Sequence, residues 1–244
     1  MITVFIVSAP SGSGKSTLVS EIRKIVPGLD FSVSYTTRPP RGSEHGGREY
    51  YFVSRPEFEA MVRNGDFLEY ADVFGNYYGT AQRVLKNAEG NGHDLLLDID
   101  VQGAELVKQK LPEAVRIFIL PPGLQTLEWR LRNRGLDRED VIQRRLATAT
   151  REIENYCKYD YILVNDRLEE SVENLKAILL TERKRHSGAV GLENETELVG
   201  RAQRCRLANV QQRVQPILDS FRQGRRQENE TKTGPEREAG KARR

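Results

Sequence analysis

The sequence predicts an α/β fold in which helices cover both faces of a parallel sheet, with a small α+β lobe inserted near the amino end. Two observations carry this prediction. Short apolar segments typical of buried strands alternate with segments of helical periodicity, an order that favours a parallel sheet with crossover helices. Residues 35–80 break this alternation with a polar stretch rich in glycine and arginine. We therefore expect a core at 1–34 and 81–186 and a separate lobe at 35–80.

The elements follow from apolar patterning and from glycine and proline signals. Runs of apolar and β-branched residues predict strands at 3–8, 31–34, 93–100, 114–120 and 159–166. Helical spacing predicts helices at 15–26, 81–90, 101–110, 124–133 and 169–185, and the segment RGLDREDVIQRRLATATREIENY is predicted as a loop leading into a longer helix. Within the lobe we predict a helix at 55–65 and a hairpin at 66–80 that turns at Gly75-Asn76.

The carboxyl-terminal part has a weaker pattern. We predict a helical extension at 187–222, with Pro216 interrupting the helix because proline lacks the backbone N–H. Residues 223–244 contain no large apolar side chain, so we expect a disordered basic tail. A role for this tail in binding RNA, membrane or a partner subunit stays open beside that of a solvated end.

Composition limits the class of protein. The 244 residues are 38% hydrophobic and 30% charged, with a formal net charge of +3, which argues against a dedicated nucleic-acid binder. Cys157 and Cys205 lie far apart without metal-ligand spacing, and no stretch has the length of a membrane span. We expect a cytoplasmic protein without nucleic-acid or membrane partners, and the sequence does not decide between a monomer and a homo-oligomer.

Residues 7–18, VSAPSGSGKSTL, lie between the first predicted strand and the first predicted helix. Ala9 to Ser16 fit the pattern [AG]-x-x-x-x-G-K-[ST], whose glycines let backbone N–H groups turn onto a phosphate at a helix N-terminus. Lys15 can reach the β- and γ-phosphates, and the Ser16 hydroxyl suits Mg²⁺. A glycine-rich turn that only connects the two elements is the alternative. The order of strand, loop and helix favours a phosphate loop for ATP and Mg²⁺.

The segment LLLDID ends a predicted strand with two carboxylates. Alternate residues of a strand share a face, so we expect Asp98 and Asp100 to point to the same side at the sheet edge where ligands bind. Asp98 is predicted as a metal ligand together with Ser16. The alternative is helix capping, because Asp100 has the position of an N-cap.

The inserted lobe concentrates groups that bind phosphate. Arg38 and Arg41 flank a stiff pair of prolines, and Tyr50 and Tyr78 offer phenolic donors. Arginines in a loop also fit a solvated surface. Their combination with prolines and tyrosines favours a second anion site.

The chain resembles the guanylate kinases of bacterial type, which are P-loop nucleoside monophosphate kinases, over about residues 3–183. The motifs that carry the resemblance are SAPSGSGKST, VSYTTRPPR, GREYYFV, FLEYADVFGNYYGT, LLLDIDVQGA, IFILPP, RLRNRG, RRL and VND. Ala9 stands where the usual motif has glycine, and the family accepts alanine there. The resemblance implies Mg²⁺-dependent transfer of the γ-phosphoryl group from ATP to GMP, giving ADP and GDP, in purine nucleotide metabolism and GMP recycling.

The resemblance also implies residue roles. The GMP phosphate is assigned to Arg38, Arg41, Tyr50 and Tyr78, and the guanine base to Ser34, Glu69, Thr80 and Asp100. Guanine presents N1–H and the N2 amine as donors, which one carboxylate can accept together, whereas adenine lacks both. Leaving such a carboxylate unpaired is costly, so we expect GMP to be preferred over AMP. Read alone, FLEYADV also fits an exposed position for Glu69, so kinase action on another small acceptor stays open.

For ATP, the resemblance assigns the phosphate loop and two residues near the adenine: Ala9, Pro10, Ser11, Gly12, Ser13, Gly14, Lys15, Ser16, Thr17, Arg130 and Asn165. It implies a helical lid at about 134–148. The catalytic residues implied are Lys15, Arg38, Arg134 and Arg145. For Arg144, the alternative of a solvated helix face stays open.

A different class of function is a non-catalytic binding module, since scaffolding proteins use guanylate-kinase-like domains to bind peptides. Such modules typically have eroded phosphate loops. Gly14, Lys15 and Ser16 are intact here, together with the lobe and lid arginines, which favours an enzyme.

Overall fold

The computed structural model of the chain describes residues 2–73, 75–133, 138–188 and 196–233. Its strands are, in chain order, β1 (Val4–Ser8), β2 (Leu29–Phe31), β3 (Tyr35–Thr36), β4 (Tyr51–Phe52), β5 (Phe67–Val73), β6 (Asn76–Ala81), β7 (Asp94–Asp98), β8 (Val115–Leu120) and β9 (Tyr161–Val164). Its α-helices are α1 (Lys15–Ile25), α2 (Arg55–Arg63), α3 (Gln82–Asn91), α4 (Val101–Lys110), α5 (Leu124–Asn133), α6 (Glu139–Glu152), α7 (Leu168–Ser187), α8 (Thr196–Cys205) and α9 (Gln211–Thr233). Short 3₁₀ helices occupy Ile153–Lys158 and Leu207–Asn209.

The central sheet has the order β2–β7–β1–β8–β9, and each neighbouring pair is parallel. Parallel strands need crossover connections, which helices supply here. Because the carboxyl ends of the strands meet at one edge, the loop after β1 lies beside the ends of β7 and β8. The predicted parallel sheet is confirmed.

Side chains of the central strands alternate between two apolar cores, one on each face of the sheet. Phe5 and Val7 of β1 pack with apolar residues of α1, α7 and α8. Val4 and Ile6 join the opposite core with apolar residues of α4, α5, α6 and α9. The predicted helical cover on both faces is therefore confirmed, and strands buried on both sides explain the continuous apolar runs.

A second sheet, in the order β4–β3–β6–β5, is built from the residues that interrupt the sequence pattern. The hairpin of β5 and β6 is antiparallel as predicted, but Asn76, predicted in the turn, pairs with Val73 as the first residue of β6. Helix α2 begins with a capping box between Ser54 and Glu57 and packs Phe58 against Phe67 with ring centroids 4.5 Å apart. Aromatic packing therefore holds this small lobe together.

The segment 196–233, here called the C-terminal strap, crosses from one face of the sheet to the other. Helix α8 lies on α7. Arg206 then pairs with Tyr161 at the free edge of β9, where the N–H of Leu207 donates to the carbonyl oxygen of Asp160 at 3.1 Å. Helix α9 continues onto the opposite face and packs against α5 and α6. The strap thus covers the exposed edge of the sheet.

Two expectations for this segment differ from the structure. Pro216 lies inside α9 and does not interrupt it. Because proline has no N–H, the carbonyl oxygen of Gln212 loses its helical hydrogen bond. Both side chains are exposed, so water can replace that bond while Val214 and Phe221 remain packed. The helix also continues to Thr233, into the tail expected to be disordered, because glutamine, glutamate, arginine and lysine extend a nucleated helix well. Residues 234–244 lie outside the described residues.

Two expectations from the composition concern the cysteines and membrane-spanning segments. Cys157 is exposed and Cys205 is buried, and both are free thiols. Among the helices of the described residues, we find none with the length and apolar character needed to cross a membrane.

Candidate active site

The phosphate loop joins β1 to α1 and depends on two glycines. Gly12 and Gly14 have φ angles of 95° and 87°, a left-handed conformation that side chains rarely adopt. A Cβ on Gly12 would lie 2.8 Å from Leu127 Cδ1, and one on Gly14 would lie 2.4 Å from Asn165 Nδ2. Both positions therefore require glycine, for backbone conformation and for space.

The loop leaves the start of α1 open toward an anion. Gly14 is the N-cap residue, so no side chain caps the first turn. Ser13 is fully buried, and its hydroxyl has no hydrogen-bond partner among the described residues. Ser16 and Thr17 are exposed in the first turn. Uncapped N–H groups and the positive end of the helix dipole together favour a phosphate group here.

Lys15 reaches from α1 to the end of β7. Its ammonium forms an ion pair with Asp98 and donates to the carbonyl oxygen of Ile99 at 3.4 Å. Because β1 and β7 are neighbouring parallel strands, the sheet itself holds the loop lysine beside this carboxylate. The predicted metal ligand and the predicted catalytic lysine are thus in direct contact.

Asp100 lies beyond the end of β7, so the argument from strand periodicity does not apply to it. It is the N-cap of α4, and its carboxylate accepts a hydrogen bond from the N–H of Gly103 at 2.9 Å. The capping role that the sequence left open is therefore present. Asp98 faces the phosphate loop, whereas Asp100 lies near Glu69 of the lobe.

Helix α6 brings Arg145 onto the phosphate loop. Its Nη2 and Nε donate to the Ser11 hydroxyl at 2.7 Å and 3.2 Å. The other lid arginine, Arg134, lies outside the described residues, so its role stays a prediction. The described part of the lid thus contacts the phosphate loop directly.

Arg130 and Asn165 hold the backbone of the same loop. The carbonyl oxygen of Ser13 accepts hydrogen bonds from Asn165 Nδ2 at 2.7 Å and from Arg130 Nη1 at 3.4 Å. Arg130 Nη2 also donates to the carbonyl oxygen of Asn165 at 3.0 Å. The two side chains assigned to the adenine therefore lie together against the backbone of Ser13.

In the lobe, Arg38 is 7% exposed and sits in a ring of acceptors. Its two terminal nitrogens meet the two carboxylate oxygens of Glu44 at 2.9 Å and 3.0 Å, and its Nε donates to the Tyr78 hydroxyl at 3.1 Å. Burial alone would lower the pKa of Arg38, but the hydrogen bonds with Glu44 and Tyr78 outweigh it and raise the pKa. The guanidinium is thus fixed in orientation and remains charged.

The other members of the predicted anion site surround this guanidinium. The Tyr50 ring lies 5.7 Å from the Tyr78 ring and 5.4 Å from the centre of the Arg38 guanidinium. Arg41 is exposed, and its backbone N–H donates to Glu44 at 2.8 Å. The structure therefore brings all four predicted phosphate-binding residues into one region, organised by Glu44.

Glu69 is a buried carboxylate, 5% exposed, and not the exposed strand residue that its sequence pattern also allowed. Burial raises its pKa to about 7, against the lowering effect of Thr80, and the charge of Asp100 adds to the rise. Thr80 lies opposite Glu69 in the hairpin, and its fully buried hydroxyl completes no hydrogen bond of normal geometry with the described residues. Ser34 is also buried, 7% exposed. A buried acceptor beside a buried hydroxyl suits a ligand that offers both donors and an acceptor.

The loop and the lobe influence each other electrostatically. Burial raises the pKa of Tyr50 well above its usual value, and the charge of Asp98 adds to the rise. Asp100 acts in the same way on Glu69. The carboxylates of Asp98 and Asp100 therefore act on titratable groups of the lobe.

Sequence reasoning missed three residues of this region. Glu44 organises Arg38, and an acid inside an arginine-rich loop was a signal that could have found it. Gly103 packs against Glu69 and Asp100, with only its place near a helix start as a signal. Glu152, at the end of α6, interacts with Ser11 and Lys15; burial and the charge of Asp100 raise its pKa to about 7. No local pattern marks Glu152, because its partners are distant in sequence.

The donor set at the loop fits Mg²⁺. Among the described residues, no group of three or more histidine, cysteine, aspartate or glutamate side chains could hold a metal ion. Mg²⁺ at phosphate-transfer sites does not require one, because one or two carboxylates, water and substrate phosphates usually bind it. Asp98 at the end of β7 pairs with Lys15, and the exposed Ser16 lies in the first turn of α1, where a nucleotide phosphate would lie.

Known proteins share this combination of loop, lobe and fold. The family model described as guanylate kinase matches residues 1–182. Guanylate kinase from Koribacter versatilis is 56% identical over 223 residues, which cover 90% of this chain and 96% of that protein. Guanylate kinase from Escherichia coli K12 is 48% identical over 187 residues, 76% of this chain and 90% of that protein.

The crystal structure of guanylate kinase from Anaplasma phagocytophilum has a TM-score of 0.64 and 34% identity, covering 80% of this chain and 94% of that one. The match to the Koribacter versatilis protein is longer than the 182 residues of the family model, so part of the C-terminal extension has a counterpart in that relative. The motifs that carried the resemblance covered only about residues 3–183. The chain belongs to the guanylate kinase family, whose members transfer a phosphoryl group from ATP to GMP.

Proposed function

We propose that the chain carries out this reaction with ATP on the phosphate loop and GMP on the lobe, each held by the residues predicted from the sequence. The observation that carries the proposal is the meeting of two built anion sites. Lys15 and Asp98 lie at one and Arg38 and Tyr78 lie at the other, and the charge of Asp98 adds to the effect of burial in raising the pKa of Tyr50 in the lobe.

On the donor side, the backbone N–H groups of residues 11–17 cradle the ATP phosphates, and Lys15 moves its charge from Asp98 onto the β- and γ-phosphates. Arg145 exchanges the Ser11 hydroxyl for a phosphate oxygen when the lid closes. Arg130 and Asn165 lie against the adenine. Arg134 is proposed to act with Arg145 on the transferring group.

On the acceptor side, Arg38, Arg41, Tyr50 and Tyr78 hold the GMP phosphate. Glu69 in its ionised form accepts hydrogen bonds from N1–H and the N2 amine of guanine, with Asp100 beside it. Ser34 and Thr80 offer hydroxyl donors to O6, and the burial of Thr80 opposite Glu69 supports this assignment.

Mg²⁺ is proposed to bind through Ser16 and Asp98 and, when bound, to neutralise charge on the phosphates. An oxygen of the GMP phosphate attacks the γ-phosphorus of ATP, and the bond from that phosphorus to the bridging oxygen breaks, with its electron pair leaving on ADP. No side-chain nucleophile is required. Lys15 and the arginines stabilise the equatorial oxygens, and the closed lid excludes water, which would otherwise hydrolyse ATP.

A cytoplasmic location stays a prediction, and the choice between a monomer and a homo-oligomer stays open.

Replacement of Arg38 by lysine tests the acceptor site. Lysine keeps one positive charge but loses the planar fork, so it cannot contact Glu44, Tyr78 and a phosphate together. We expect the KM for GMP to rise about 10- to 100-fold, from the loss of one to two charge-assisted hydrogen bonds, and the KM for ATP to change less than about twofold. Steady-state kinetics with each substrate varied in turn gives both values.

The matched control is Arg63→Lys, an exposed arginine at the end of α2 in the same lobe. It should leave both KM values unchanged. Equal KM values for GMP in wild type and Arg38→Lys would contradict the assignment of Arg38.

A further inference from the structure

Gly103 lies in the first turn of α4, where this helix meets β5, and it is buried. A Cβ at this position would lie 2.8 Å from Oε2 and 3.2 Å from Cδ of Glu69. The same Cβ would lie 3.3 Å from Oδ1 of Asp100. Contacts of a real Cβ below 3.0 Å are essentially never seen, so any side chain here must displace an atom of Glu69.

The backbone does not explain this glycine. Gly103 is helical and is not among the glycines with positive φ. Inside a helix, glycine is less stable than alanine, so the position gives up helix stability. The physical reason for a glycine at position 103 is that it leaves space for the neighbouring Glu69 carboxylate.

The surroundings determine which atoms would move. Asp100 is held by the Gly103 N–H, and Lys110 of α4 donates to the carbonyl oxygen of Leu68, which ties the helix to β5. Glu69 is fixed at its backbone by pairing with Thr80. Its carboxylate is the end of a flexible side chain, so an alanine at 103 would displace the carboxylate and leave the helix in place.

We propose that Gly103 is a positioning residue that admits the Glu69 carboxylate beside α4 and thereby sets the preference for guanine. This inference rests on the proposed reading of the base by Glu69. The N1–H and the N2 amine of guanine need the two oxygens of the Glu69 carboxylate as acceptors. A displaced carboxylate loses one or both of these hydrogen bonds. AMP offers neither donor, so the turnover of AMP does not depend on the position of the Glu69 carboxylate.

The experiment compares Gly103→Ala with wild type in thermal unfolding and in steady-state kinetics with GMP, AMP and ATP. We expect the KM for GMP to rise about tenfold or more, while the KM for ATP changes less than about twofold and Tm does not fall. The preference for GMP over AMP should fall by the same factor. The matched control is Gly90→Ala in α3, where an added Cβ meets nothing within 4 Å, and it should leave all three substrates unaffected.

A double-mutant cycle with Glu69→Ala separates this role from a merely structural one. When Glu69 is already alanine, Gly103→Ala should change the KM for GMP by less than about twofold, because no carboxylate remains to be displaced. Equal effects of Gly103→Ala in both backgrounds would overturn the inference while leaving the role of Glu69 intact. An unchanged KM for GMP in Glu69→Ala itself would instead refute the proposed reading of guanine, and the inference with it.

Discussion

Replacement of Lys15 by alanine is expected to lower kcat by about 10³-fold, with the protein still folded. Phosphoryl transfer depends on positioning and on stabilising charge that develops on the phosphate oxygens, and removing one such charged donor costs on this order. Lys15 contacts Asp98 at the mouth of the phosphate loop, and the loop conformation itself depends on Gly12 and Gly14. A coupled assay for ADP gives kcat, and circular dichroism checks the fold.

The matched control is Lys24→Ala at the last turn of α1, where the lysine is exposed and pairs with Glu21. It should retain full activity. A Lys15→Ala enzyme within about tenfold of wild type would show that this lysine does not stabilise the transferring group.

Replacement of Phe221 by alanine is expected to lower the free energy of unfolding by about 3–5 kcal/mol, the range for a large aromatic side chain lost from a packed core. Phe221 is 1% exposed in α9 and belongs to the apolar cluster that contains Leu127 of α5 and Leu146 of α6. The same two helices carry Arg130 and Arg145. Urea unfolding with its m-value measures the change.

Gln212→Ala serves as the control, because Gln212 is exposed on the same helix. It should change the free energy of unfolding by less than about 0.5 kcal/mol. A loss below about 1 kcal/mol for Phe221→Ala would mean that α9 does not pack on α5 and α6 as the structure shows. Because these helices support the ATP side, we also expect Phe221→Ala to raise the KM for ATP more than the KM for GMP.

Local sequence patterns predicted the core elements well. The helices at 101–110 and 124–133 have the predicted bounds, and four core strands differ from the prediction by at most two residues at each end. The strand predicted at 31–34 was misplaced, because β2 covers Leu29–Phe31 and shares only Phe31 with it. Such patterns work because burial on both faces of a parallel sheet requires continuous apolar strands, and each helix must present one apolar face. Helix ends were also marked by glycine and proline.

Contacts between distant residues were not predictable in this way. Glu152 lies 141 positions from Ser11, and Gly103 lies 34 positions from Glu69, so no spacing reveals either pair. For Pro216 a local rule gave a wrong prediction. Proline was expected to interrupt the helix, but α9 continues through this residue because its apolar side chains stay packed. The base site was predictable only through resemblance, because a strand pattern alone cannot distinguish a buried Glu69 from an exposed one.

The choice of acceptor tests the central claim most directly. A coupled assay with GMP, AMP, UMP and CMP at fixed ATP measures kcat/KM for each acceptor. We expect GMP to exceed AMP by about 10⁴-fold, because only guanine supplies the donors that a buried Glu69 must receive. Fastest turnover of AMP or UMP would contradict the assignment of Glu69, Thr80 and Asp100 to a guanine site.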